Sequence, residues 1–389
     1  MFDSYSKYRG EITSLLKEQL ISNTFSSTSL FSGERYSGRL TIALEVARIF
    51  SCSLKGESDC SCYSCTTYNN LKVDNLVVVG SRNNFLRIKA ALENYRVLAT
   101  SAAKKELFKT VRVFLLQYRA LMYDSTVAKS GPLFERAGRL DELLDQVEQS
   151  DDVDLVINTI EKGVKEVQSV ASKQNQLTIM QVRSLQRWVN QTSFKNRKRF
   201  LIIEGIEKSS TGSLNSLLKL LEEPPKDTYI IVLSEQPSRL PATILSRLRK
   251  YHFKNFAEKE KNDLLRDKFF VKGEFYLSLE EFFLERGKVD FNAIKKAAQT
   301  LSSAVVNKKN LMRQELEEIG GTVDEVEQLE YFFKEFEKSL KEFYYNNLLD
   351  SYKVDKLIKE VRESYNNALV FNQNGRLLVE ALYYRLVEI

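Results

Sequence analysis

The stretch "LFSGERYSGRLT", Leu30 to Thr41, holds two glycines, Gly33 and Gly38, at the spacing of a phosphate-binding loop. Such a loop turns backbone N–H groups inward around phosphates. It adds a lysine for the β and γ phosphates and a hydroxyl to hold Mg²⁺. Here Arg39 stands in the lysine's place and Leu40 in that of the hydroxyl. Arginine pairs with phosphate but is bulkier and shaped differently, and leucine cannot ligate a metal. Tyr36 also stands where close approach to phosphate calls for glycine.

A second stretch, "FLIIEGIEKSS", would carry the acidic half of nucleotide hydrolysis. That chemistry uses adjacent acids at a strand end, one serving Mg²⁺ and one polarising the attacking water. The matching pair is Glu204 and Gly205, so the acid that would prepare the water is missing. With both places altered, efficient ATP hydrolysis is not expected of this chain.

All four cysteines fall close together, Cys52, Cys60, Cys62 and Cys65, with the spacing C-x7-C-x-C-x2-C. Four thiolates in a tetrahedron hold zinc, and close pairs on short loops supply that geometry. Two C-x2-C steps would be the usual arrangement, so the middle pair is cramped. A set of free thiols is the other reading, and disulfides are not expected in a reducing compartment. His252 is the sole histidine, which argues against a His-based metal site or a Ser-His-Asp triad.

These residues need elements to position them. The chain has 389 residues, enough for two or three domains, with 43% hydrophobic and 28% charged residues. Glycine (15) and proline (5) are scarce, which favours long helices over turn-rich β structure. No apolar run approaches the roughly eighteen residues of a membrane span. The start "MFDSYSKYRGEITSLLKEQL" lacks the apolar centre of a signal peptide, so a cytoplasmic location is expected.

The phosphate loop lies between a short strand, "STSLFSG", and a helix, "LTIALEVARIF", in which Ile42, Val46 and Ile49 share one face. A first helix is expected over Glu11 to Leu20. "DNLVVVGS", "FLIIEG" and "YIIVLS" read as strands buried on both faces, with "TIMQVRSLQRWVNQ" and "SLNSLLKLLEEPP" as helices between them. Alternation of this kind implies a mostly parallel, doubly wound sheet.

Between about Phe85 and Gln176 the pattern becomes helical, with one face of Phe108, Val111, Leu115, Tyr118 and Met122. Another is formed by Val153, Val156, Ile157, Ile160, Val164 and Val167. This reads as an insert of antiparallel helices. Its charge is uneven: Phe85 to Arg139 holds 11 Lys or Arg against 4 Asp or Glu, and Leu140 to Glu161 holds 8 acids and no base. Either block fits a solvated helix face, and the basic one also admits nucleic acid. Beyond Phe253 the chain reads as helical, with Val326, Leu329, Phe333, Phe336, Leu340 and Phe343 along one face.

"LLKLLEEPP" and "PATILSRLRKYHF", with "IMQVRSLQ" upstream, resemble the sliding-clamp loader members of the AAA+ superfamily. "NQNGRLLVEALYYRL", Asn372 to Leu386, is similar to the end of bacterial DNA polymerase III delta-prime and gamma/tau subunits. The resemblance covers residues 1–82 and 177–270 well and leaves the insert without a counterpart. It implies an AAA+ α/β domain over 1–253 with a helical insert at about 85–176, a helical lid over 254–305, and an all-α oligomerisation collar over 306–389.

In that family an "SRC" segment offers an arginine finger to the ATP of a neighbouring subunit. The matching residues are Ser246, Arg247 and Leu248, beside the basic Arg249 and Lys250. The other reading of Arg247 is an ion pair with a carboxylate at a domain junction. The family also carries a four-cysteine zinc module after its first helix, matching Cys52, Cys60, Cys62 and Cys65. With Gly33, Gly38, Arg39 and Glu204 left as a vestigial nucleotide site, the resemblance points to the delta-prime branch, an accessory polymerase subunit with no catalytic residues of its own. Its implied partners are gamma/tau and delta subunits and, through the complex, the sliding clamp and primer-template DNA, with no membrane role. The alternative is a divergent gamma/tau motor.

Trp188 and the aromatics of the final helices fall at helical spacing and read as core rather than as base-stacking groups. The turn "KNRKR", Lys195 to Arg199, suits either DNA phosphates or a solvated loop.

Overall fold

The computed structural model describes residues 1–54, 56–80, 84–118, 131–171, 177–190, 197–271, 276–323, 326–371 and 374–389. Met122, Lys195, Asn196 and Asn372 lie outside the described residues, as does the side chain of Val326. The chain forms two compact units, Met1–Glu280 and Glu281–Ile389.

The first unit is built on one five-stranded sheet. In chain order it contains α1 (Asp3–Ile21), β1 (Thr28–Gly33), α2 (Arg39–Ser51), α3 (Tyr63–Asn69), β2 (Leu76–Gly80), α4 (Phe85–Leu98), α5 (Ser101–Leu115), α6 (Gly131–Val147), α7 (Val153–Ala171) and α8 (Ile179–Val189). It continues with β3 (Arg199–Glu204), α9 (Thr211–Glu222), β4 (Thr228–Ser234), α10 (Ala242–Leu245), β5 (Arg249–Phe253) and α11 (Glu258–Phe269). The sheet order is β2-β3-β4-β1-β5, and every pairing is parallel. This is the parallel α/β sheet of an AAA+ domain.

Side chains alternate across each strand, so each strand feeds two cores. Phe31, Val78, Phe200, Ile202, Ile231 and Leu233 pack with Val46 and Ile42 of α2 on one face. Leu30, Val77, Leu201, Ile203, Ile230 and Val232 pack with Trp188 of α8 and Leu217 of α9 on the other. Burial on both faces explains why these strands are continuous apolar runs. β5 is different: Tyr251 and Phe253 are buried, whereas Arg249, Lys250 and His252 are exposed, the pattern of a charged edge strand. Sequence reading did not assign a strand there.

Helix starts follow local chemistry. Thr178 caps α8 by accepting from the Gln181 N–H, while the Gln181 side chain accepts from the Thr178 N–H. Thr100 caps α5 and Ser210 caps α9 in the same manner without the return bond. The first helix begins at Asp3, well before Glu11, and carries a kink at Arg9, whose φ of −143° and ψ of 42° are not helical.

The insert has a core of its own, in which Leu107, Phe108, Val111 and Phe114 meet Leu140, Leu144, Ile160 and Val167. α6 and α7, joined through residues 148–152, pack against each other. α5 ends at Leu115, so Leu115 and Tyr118 are only partly buried.

The second unit, entered through α12 (Leu279–Arg286), is helical: α13 (Phe291–Val306), α14 (Arg313–Gly320), α15 (Val326–Tyr345), α16 (Ser351–Phe371) and α17 (Gly375–Val387). α15 packs on α13 and α16, burying Leu329, Phe333, Phe336 and Leu340, together with Phe332. Among the described residues no helix is long and apolar enough to cross a membrane.

Candidate functional site

In open α/β sheets ligands gather at the carboxyl ends of the strands, where connections leave toward opposite faces. β1 lies between β4 and β5, and its carboxyl end passes directly into the glycine loop before α2. Gly33 is required there by space: a Cβ would stand 2.4 Å from the Phe253 carbonyl oxygen and 3.1 Å from Ser37 Oγ. Gly38 and Tyr36 both adopt left-handed φ angles, 83° and 61°. The loop thus keeps its backbone shape at Tyr36 without the glycine that would do so at no steric cost.

Arg39 and Leu40, which follow Gly38, are both turned inward. Leu40 is 3% exposed and belongs to the core formed by Phe31 and Val46. Arg39 is also 3% exposed; its Nη2 pairs with Glu235 Oε1 at 3.3 Å, and its Nη1 is buried without a hydrogen-bond partner. Glu235, just beyond β4, was not identified from sequence. Its own N–H donates to Glu207 Oε1 at 3.0 Å, which fixes the turn after β3 against the end of β4. Glu204 ends β3 and is buried. Gly205, at φ 67°, follows it and donates its N–H to the Leu233 carbonyl.

Arg9, from the kink in α1, reaches the mouth of the same loop. Its guanidinium carbon lies 3.4 Å from the centroid of the Phe256 ring, and Nη1 donates to the Lys254 carbonyl. A Cβ on Gly38 would stand 3.8 Å from both Arg9 Nε and Phe256 Cζ. Burial lowers the Arg9 pKa to about 10, slightly offset by Glu260. No sequence period marks this arginine, because its place depends on the kink.

Ser246 and Arg247 follow α10 at the surface. The Arg247 side chain, 31% exposed, forms an ion pair with Glu222 at the end of α9, and its Nη1 donates to the Thr243 carbonyl and to Ser246 Oγ. Leu248, where the family motif has cysteine, is buried in the core with Leu217 and Ile244. Of the basic turn, Arg197 pairs with Asp74, Lys198 Nζ lies 4.2 Å from the Phe50 ring centroid, and Arg199 donates to the Val189 carbonyl. Trp188 is buried in the core, as its spacing suggests.

The four cysteines converge, with all sulfur atoms within 4.8 Å of one another. Cys52 Sγ is 3.6 Å from Cys60 Sγ and 3.8 Å from Cys62 Sγ. Backbone N–H groups of Leu54 and Gly56 each approach Cys52 Sγ at 3.3 Å, and that of Cys65 approaches Cys62 Sγ at 3.5 Å. The Cys65 N–H, followed by groups on Ser53, lowers the Cys62 thiol to about 5, whereas burial pushes the Cys65 thiol up. The cramped middle pair therefore does not prevent a four-sulfur cluster.

A family model described as "DNA polymerase III, delta subunit" matches residues 8–127 and 143–257, more than half of the chain. The chain is 38% identical over 85 residues to DNA polymerase III subunit delta' of Bacillus subtilis, covering 22% of this chain and 26% of that one. It is 41% identical over 71 residues to subunit delta' of Pseudomonas aeruginosa, covering 18% and 22%. It is also 42% identical over 53 residues to subunit tau of Bacillus subtilis, covering 14% and 9%. The matched stretches thus span about a quarter or less of the length of these relatives. Taken with the parallel sheet and its glycine loop, the family match places this chain in the clamp loader delta-prime family of DNA polymerase III subunits.

Proposed function

We propose that this chain is a non-hydrolysing, stator-like delta-prime subunit of a DNA polymerase III clamp loader. It would stand between a gamma/tau motor and the delta subunit and support loading of the sliding clamp onto primer-template DNA. The observation that carries this reading is Leu40: the position that should offer a hydroxyl to Mg²⁺ is an apolar side chain in the core. Gly205 in place of the second acid supports it from the other side of the site.

In this reading Gly33, Gly38, Arg39 and Glu204 are the remains of a nucleotide site, and the chain's catalytic contribution is made in trans. Arg247, with Ser246 beside it, would leave Glu222 and meet the γ phosphate held by a neighbouring subunit, where such an arginine stabilises developing charge. Its position at the surface and its partly exposed ion pair support that exchange. The first 253 residues form the AAA+ domain, 254–305 the lid and 306–389 the collar.

The cysteine cluster fits zinc. A tetrahedron with Zn–S of about 2.3 Å has edges of about 3.8 Å, and the sulfur separations of 3.6 and 3.8 Å agree with it. Cys52, Cys60, Cys62 and Cys65 would hold the ion, which supplies a structural cross-link.

Titration of the purified chain with ATP and Mg²⁺ in a calorimeter tests the stator reading. No heat up to millimolar nucleotide is expected. Micromolar binding would favour the second reading, a divergent gamma/tau motor, which the match to tau and the cation kept at Arg39 support.

A further inference from the structure

Three segments bring the cysteines together: Cys52 just after α2, the residues 56–59 that lead to Cys60 and Cys62, and the first turn of α3 with Cys65. The Cys62-x2-Cys65 step is a short turn of the expected kind. The Cys52-x7-Cys60 step is not, and something must fold that loop back.

Arg48, in the last turn of α2, touches the second and third of these parts, and the turn it holds reaches Cys52. Its Nε and Nη2 donate to the two carboxylate oxygens of Glu45 at 2.8 and 2.7 Å. Nη2 also donates to the Gly56 carbonyl at 3.0 Å, and Nη1 to the Glu57 carbonyl at 3.1 Å and to Cys65 Sγ at 2.9 Å. A guanidinium has five N–H donors in a fixed fork, and five acceptors meet this one. Gly56 completes the turn. At φ 68° its Cβ would stand 2.8 Å from Ile49 Cγ2, so glycine alone lies this close to α2. Its N–H reaches Cys52 Sγ while its carbonyl reaches Arg48.

We infer that Arg48, clamped by Glu45, is the positioning residue of the four-cysteine site, a role that rests on the zinc reading above. It ties Cys65 to the turn at 56–57 and so returns Cys60 and Cys62 to Cys52, replacing the C-x2-C turn that this end of the set lacks. Groups that donate to metal ligands orient them, and their loss typically weakens binding by about 10- to 100-fold. Lysine offers a point charge without the fork, so it cannot hold both the turn and the sulfur.

The test uses the full chain, purified under reducing conditions. It combines zinc content, zinc affinity by competition with a chelator, and the absorption spectrum after Co²⁺ substitution. The wild type should hold one zinc and show a tetrahedral thiolate–cobalt spectrum. Arg48→Met should lose about 10- to 100-fold in affinity and alter that spectrum. Arg48→Lys should fall close to Arg48→Met, and Glu45→Gln should weaken binding less, in the same direction. Far-UV circular dichroism reports folding; if Arg48→Met does not fold, Arg48→Lys and Glu45→Gln carry the test. Wild-type affinity and an unchanged cobalt spectrum in the folded variants would overturn the role of Arg48 and leave zinc in place. A wild-type chain that takes up neither zinc nor cobalt would overturn the zinc reading, and Arg48 would lose its role with it.

Discussion

Arg9 stacks on Phe256 with its guanidinium carbon 3.4 Å from the ring centroid, although the two residues belong to opposite ends of the first unit's α/β body. The stack sits beside Gly38, in the glycine loop between β1 and α2. Arg9 and Phe256 thus both lie within van der Waals reach of the position a Cβ on Gly38 would take. The stack and the kink in α1 fall on the same residue, Arg9.

Removing the stack should loosen the first unit. A desolvated cation–π contact contributes about 2 kcal/mol, and the hydrogen bond to the Lys254 carbonyl adds about 1 kcal/mol. Arg9→Ala should lower the first urea transition accordingly, and Phe256→Leu, which keeps the apolar volume, should lower it less. An unchanged midpoint in Arg9→Ala would show that the stack contributes nothing to stability.

A second tie of α1, this one to α11, is pH-dependent. Asp267 accepts from Lys7 Nζ and from Tyr8 Oη, each at 2.7 Å, and these bonds, Lys7 first, hold its carboxyl below the usual range. A carboxylate whose folded pKa is depressed stabilises the fold above its unfolded pKa, about 4, and loses that contribution as pH falls through the folded value. Asp267→Asn should therefore be less stable than wild type at neutral pH. The gap should narrow below about pH 4. A gap that stays constant from pH 7 to the acid limit of folding would contradict the assignment.

Much of this was legible in the residues. Buried parallel strands are continuous apolar runs, so β1, β2, β3 and β4 announce themselves, and four cysteines so near in sequence predict their own convergence. β5 was less legible because Arg249, Lys250 and His252 face outward on an edge, and three polar positions in five hide a strand. The partners of the site residues were not legible at all. Glu235, Glu222 and Arg9 reach Arg39, Arg247 and Gly38 only through tertiary contacts, and no local period encodes a contact between separate elements of the chain. Arg48 was passed over for the opposite reason: within a helix next to Glu45 it reads as an ordinary solvated pair, and only burial shows otherwise.

Repairing the loop alone should not create an ATPase. Arg39→Lys with Leu40→Thr restores the lysine and hydroxyl in name. Leu40 is buried, however, and its replacement by a smaller polar residue should cost about 2–4 kcal/mol of stability. Gly205 still offers no acid to prepare water. The double variant should melt earlier than wild type and release no phosphate above the blank. Phosphate release with multiple turnovers would show that the acidic half of the site is not limiting.

Arg247 gives the sharpest separation of stability from function. Its ion pair with Glu222 is partly exposed, and pairs of this kind contribute about 1 kcal/mol or less. Arg247→Ala should therefore leave the melting curve of the isolated chain almost unchanged. In a complex reconstituted with the motor and delta subunits, the same variant should reduce DNA-stimulated ATP hydrolysis by about a thousandfold at the motor site that it faces. Glu222→Gln, which releases the arginine without removing it, should leave that rate intact or raise it. Both rates should be read at saturating clamp and primer-template DNA, so that assembly does not limit them. If Arg247→Ala and wild type hydrolyse at the same rate in a fully assembled complex, the arginine is a surface ion pair and nothing more, and the trans-acting role is lost.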